Sequence, residues 1–140
     1  MNDMDTLGWL KDQTDIRSLR AAVCDLNGVM RGKRIPVEQA ERVLAGNLRM
    51  PLSVVGVDIW GEDIVNSPLV FTTGDADGLC ESIGRGTLPM DWPPEPTALI
   101  PLWLREENRA HFGGVPRRAL ARIVERFAAS GSHPVLSMRL

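Results

Sequence analysis

Tyrosine is absent from this sequence, cysteine occurs twice, and aromatic residues make up 5% of 140 positions. Cys24 and Cys80 can form one bridge at most, which excludes a disulfide-stapled scaffold. Without a secretory leader both read as free, buried thiols. The opening MNDMDTLGWLKDQ carries acids where a leader needs a basic and then an apolar start. Export is therefore not expected, and the expected location is cytoplasmic. Apolar runs stop after a few residues, against about 20 for a membrane span, so no membrane partner is expected. Positive charge is not in excess: 16 Lys+Arg stand against 18 Asp+Glu, a formal net charge of −2. That removes the electrostatic footprint of a nucleic-acid partner. The phosphate-loop patterns G-x-G-x-x-G and G-x-x-x-x-G-K-[ST] are missing, as are H-E-x-x-H and C-x-x-C.

What is present is ordinary globular material, 44% hydrophobic and 24% charged, at the length of about one domain. Leu7, Leu10 and Lys11 at i, i+3, i+4 predict a short N-terminal helix. Residues 19–25 and 29–36 flank Asn27-Gly28, the strongest two-residue hairpin signal, and predict a β-hairpin. Pro36, early acids and Gly46 bracket a helix over 37–45, with Val37, Ala40, Val43 and Leu44 as its buried stripe. Strands are predicted over 52–57, 79–83 and 97–104, with glycine turns at 74–78 and 84–86. Pro93-Pro94-Glu95-Pro96 makes a stiff corner. A boundary falls in the polar stretch 106–114. After it comes a helix over 117–130, with Leu120, Ile123, Val124 and Phe127 at amphipathic spacing. A strand over 134–140 closes the sequence. Hairpin, helix and returning strands predict an α+β roll.

Few residues stand out as chemistry. His111 and His133 read as solvated. Asp75-Ala76-Asp77 resembles part of a calcium loop but lacks the distal bidentate Glu, so it reads as a charged turn. Arg31, Lys33 and Arg34 read either as an anion site or as a solvated strand that discourages edge pairing. Asp58, before Trp60-Gly61, reads as an ammonium contact or as a turn former.

Asp25-Leu26-Asn27-Gly28-Val29-Met30-Arg31-Gly32-Lys33-Arg34-Ile35-Pro36 resembles the first hairpin of glutamine synthetases, most closely the branch with γ-glutamylpolyamine synthetases. Val57-Asp58-Ile59-Trp60-Gly61 is similar to the loop after the next strand there. Gly74-Asp75-Ala76-Asp77, Gly86-Thr87-Leu88 with Trp92, Ala98 in a strand, and Pro116-Arg117 opening a helix follow in the family's order. The resemblance covers residues 19–131.

The resemblance implies an arm over 1–18, a β-grasp domain over 19–108, and over 109–140 a linker with the opening helix and strand of a truncated catalytic α/β domain. It implies ATP-dependent joining of the glutamate γ-carboxylate to ammonia or an amine through a γ-glutamyl phosphate. ATP and Mg²⁺ or Mn²⁺ belong to the full-length family, and none is expected for this chain itself. Implied partners are neighbouring subunits of a homo-oligomeric ring. Asp58 is implied to face the ammonium pocket of a neighbour. No catalytic residue and no metal ligand is assigned to this chain. Where the family carries a metal-binding Glu-x-Glu, Arg139 stands at the first position. The chain alone is therefore expected to be inactive. A stand-alone, non-catalytic β-grasp interaction module or a decayed gene product is the alternative.

Overall fold

The computed structural model describes residues 3–137. Asn27-Gly28 turns the chain as its chemistry allows, with Gly28 at φ +78°, where a residue without Cβ is unstrained. On either side β1 (Ser18–Cys24) and β2 (Met30–Pro36) pair antiparallel, Ser18 opposite Pro36 and Cys24 opposite Met30. The N-terminal helix α1 (Asp3–Asp12) precedes them and buries Leu10. The helix predicted over 37–45 forms in two parts, a 3-10 turn Val37–Gln39 and α2 (Ala40–Leu44). Ala40 and Val43 are buried, while Val37 and Leu44 pack half-buried against the core.

The strand predicted over 52–57 is not formed. The strand is β3 (Leu48–Pro51), and Leu52–Val55 coils into a 3-10 turn. A short apolar run carries no period that separates strand from buried turn. Its backbone groups are satisfied outside any ladder, Leu52 N–H donating to the Ala76 carbonyl and Val55 carbonyl accepting from Leu26 N–H. Within the stretch expected to be loop lies a short helix α3 (Pro68–Phe71), with proline at its first turn. Then follow β4 (Asp77–Ser82), the unexpected β5 (Leu88–Met90) and β6 (Thr97–Arg105).

The sheet order is β2-β1-β6-β4-β3, with β5 also on β6. β1 and β6 run parallel and the other pairs antiparallel. The two edges approach each other: Lys33 Nζ on β2 donates to the Arg49 carbonyl on β3 at 2.9 Å. The result is a nearly closed, barrel-like sheet. Its interior is filled by Leu19, Ala21 and Val23 of β1 and by Ala98, Ile100, Leu102 and Leu104 of β6, all 0–2% exposed. These are alternate residues on one face of each strand.

Helix α4 (Pro116–Ala129) matches its prediction in extent and is followed by Gly131 at φ +72°. Of the strand predicted over 134–140, residues 134–137 form none. Residues 138–140, Arg139 included, lie outside the described residues. Both thiols are free, but only Cys80 is buried and Cys24 is half-buried. Burial pushes the Cys80 thiol up to about 12, which makes it inert near neutrality.

Candidate functional site

The hairpin turn and the loop after the 3-10 turn meet at one carboxylate. Asp25 is 1% exposed. Its Oδ1 accepts from Asn27 N–H and Val29 N–H, both at 2.8 Å, so the side chain closes the turn that Asn27-Gly28 begins. Its Oδ2 accepts from Arg31 Nε at 2.8 Å. Burial works to raise the Asp25 pKa. The Arg31 guanidinium and the Val29 and Asn27 donors outweigh it and hold the carboxyl below its ordinary value.

Arg31 has a second task. Its Nη2 donates to the Asp58 carbonyl at 3.1 Å and to the Ile59 carbonyl at 2.9 Å. Asn27 Nδ2 donates to the Val57 carbonyl at 3.0 Å. The hairpin therefore grips the backbone of residues 57–59 at three points. Gly61, at φ +92°, has no Cβ, and one built there would stand 2.9 Å from Arg31 Nη1. The positive φ favours glycine, and an added Cβ would push the Arg31 guanidinium aside.

Asp58 is half-buried, and it follows a 3-10 turn and not the strand expected before it. Its Oδ1 accepts from Trp60 N–H at 2.8 Å and Glu62 N–H at 2.9 Å. The backbone is closed as well, Asp58 N–H donating to the Glu62 carbonyl and Gly61 N–H to the Asp58 carbonyl. Asp58 is thus a turn former. Among the described residues no base pairs with its carboxylate, and Oδ2 carries no hydrogen bond. Beside it Trp60 is 84% exposed, and Ile59, Ile64, Val65 and Phe71 are exposed too. This is an apolar, carboxylate-bearing loop held rigid from below and open above.

The other singled-out residues are structural here. Arg34 pairs with Glu95 and donates to Ser18 Oγ, and Lys33 bridges the sheet edges. Both stay exposed on the edge strand β2, as the solvated-strand reading expects. Asp75 accepts from Ser53 Oγ at 2.5 Å and so holds the 3-10 turn. His111 is exposed. Its Nε2 faces Arg105 Nη1 at 3.2 Å, and since a guanidinium only donates, that nitrogen accepts. Partial burial, Arg105 and Arg118 lower its pKa. Among the described residues no three His, Cys, Asp or Glu side chains gather where they could hold a metal.

Sequence reading singled out Asp58 and missed Asp25 and Arg31 as its supports. An Asp two residues before Asn-Gly marks the turn, but nothing local marks its pairing with the Arg six residues after that Asp.

No family model matches the chain. Gamma-glutamylputrescine synthetase PuuA of Escherichia coli (strain K12) is 32% identical over 132 residues, which is 94% of this chain and 28% of that protein. Among solved structures, a glutamine synthase homolog superposes with a TM-score of 0.69 at 19% identity, covering 82% of this chain and 27% of that one. GmaS in an ADP complex gives 0.65 at 21% identity, covering 89% and 26%. At those identities the two structures speak for the fold. The chain spans little more than a quarter of the length of each of these proteins. Over nearly its whole length it is homologous to gamma-glutamylputrescine synthetase, and it matches the N-terminal portion of a glutamine synthetase-type ligase.

Proposed function

We propose that the chain supplies the amine-side wall of a γ-glutamyl ligase, with residues 19–108 as its β-grasp domain and Asp58 as the carboxylate that meets the ammonium or amine substrate of a neighbouring subunit. The observation that carries this is the loop itself: Asp58 fixed through Oδ1, its Oδ2 without a partner among the described residues, on a loop clamped by Arg31. A carboxylate so held stabilises a cationic amine and can take its proton as the amine becomes a nucleophile. The exposed Trp60 and Ile59 supply an apolar surround for an alkyl amine. The parallel β1–β6 pair, the hairpin and the helix that follows it support the β-grasp reading. On this reading residues 1–18 form an arm and 109–140 lead into the catalytic domain. ATP and Mg²⁺ or Mn²⁺ would be held by that domain in the whole protein, where they supply phosphoryl chemistry. Ring-forming subunits and a cytoplasmic location belong to the same proposal. No helix among the described residues is long and apolar enough to cross a membrane.

The test is a chimera in which this chain replaces the homologous segment of the Escherichia coli synthetase. The chimera should form γ-glutamylputrescine. Asp58→Ala in it should lower kcat/KM for the amine by about a hundredfold while leaving KM for ATP unchanged. An active chimera indifferent to Asp58→Ala overturns the proposal.

A further inference from the structure

The sheet has a second face, and it is not smooth. Side chains alternate along β2, so Arg31 points to the clamped loop while Met30, Gly32 and Arg34 lie on the opposite face. There a cavity of about 330 Å³ opens. Its floor is where Gly32 sits opposite Ala22, two adjacent positions with almost no side chain. Met30 and Met90 form soft walls, and Trp92, 75% exposed, stands at the rim. Arg20 and Arg34 line one end and also border a smaller depression of about 240 Å³ against Pro93-Pro94-Glu95.

Charge at that end is unbalanced. Arg34 is engaged by Glu95 and Ser18. The Arg20 side chain is exposed and makes no hydrogen bond or ion pair among the described residues. One carboxylate thus faces two guanidiniums. A guanidinium beside an apolar cleft presents an unused fork of donors that matches a carboxylate or phosphate oxygen pair. The volume lies at the small end of ligand pockets, about 300–1,000 Å³, and suits a body of one or two rings. A flat ring is what Trp92 and the polarizable methionines accept best.

We infer that this outer face is a binding site for a small organic anion, a flat apolar body carrying one carboxylate that pairs with Arg20 and stacks on Trp92. It lies on the face opposite the Asp58 loop and does not depend on the ligase proposal. A second copy of the chain would meet a concave surface with an unpaired cation, for which a protruding acidic counterpart is needed.

The test uses the 140-residue chain and 2-naphthoate, followed by calorimetry and tryptophan fluorescence. Saturable binding is expected, with 2-naphthamide at least about tenfold weaker because it lacks the charge. Arg20→Gln should weaken 2-naphthoate by at least about tenfold, and Trp92→Phe should remove most of the fluorescence response. Circular dichroism of both variants should match the parent, since both side chains are exposed. Absence of saturable binding overturns the inference, as does binding unchanged by Arg20→Gln or a fluorescence response that survives Trp92→Phe. So does sedimentation of a dimer that these substitutions dissociate, which would assign the face to a second copy.

Discussion

The barrel-like sheet and helix α4 use the same kind of residues to opposite ends. In the sheet, Leu19, Val23, Ile100, Leu102 and Leu104 are 0–2% exposed. In α4, Leu120, Ile123, Val124 and Phe127 are 42–53% exposed, although their helical spacing is regular. Pattern therefore states that a surface is meant to be apolar, not that it is covered. The sheet covers its own face by curling until β2 reaches β3. A single helix has nothing on itself to curl against. The loop at 58–71 resembles α4 in this respect, with Trp60 and Val65 more than four-fifths exposed.

Substitutions sharpen that contrast. Leu104→Ala should have the largest effect, about 2–5 kcal/mol by chemical denaturation, since it opens a cavity in a closed interior. A loss below about 1 kcal/mol would mean that the sheet is less closed than its register implies. Asp25→Ala should cost about 3 kcal/mol, because it leaves Arg31 and two backbone N–H groups without their acceptor. The same residue gives an acid limb. Its folded carboxyl titrates below the ordinary 3.8, so its contribution is fully present above that value and is lost as pH falls through the lower folded value. Asp25→Asn should flatten the stability profile in that window, and an unchanged profile would remove Asp25 from the account.

Asp58→Ala should cost about 1 kcal/mol, in line with a lost side-chain cap, since Oδ1 holds two N–H groups. A thermal melt indistinguishable from the parent would show that Arg31, Asn27 and the loop's own backbone bonds hold it without the Asp58 carboxylate. Smallest of all, Leu120→Ser in α4 should shift stability by no more than about 0.5 kcal/mol. A drop like that of Leu104→Ala would mean that α4 is covered in solution.

Much of the fold was legible because local chemistry and global structure agreed. Asn27-Gly28 forced the hairpin, the apolar run 97–104 placed β6, and proline and glycine bracketed α4. The failures lie where backbone partners are distant. The run 52–57 looked like a strand because its residues are apolar, yet Leu26 and Ala76 take its hydrogen bonds. Three-residue β5 depends on β6 beside it and has no signal of its own. At the candidate site Asp58 was visible as an acid before Trp-Gly. The partnership with Asp25 and Arg31 was not, because an ion pair between a turn and its return strand has the same composition as a solvated one. For Lys33 and Arg34, composition suggested solvation and both are exposed; the distant carbonyl and carboxylate they meet are what composition does not show.

Arg31 reaching across to the Asp58 and Ile59 carbonyls means that the loop cannot be inherited alone. Its shape is encoded about thirty residues upstream. Anyone redesigning amine preference by transplanting residues 57–62 into a related scaffold would need to carry the Asp25–Arg31 pair with them, and to keep glycine at position 61, where a methyl group would push the guanidinium aside. Drift in the hairpin would be felt first as a misplaced loop, well before the barrel itself noticed.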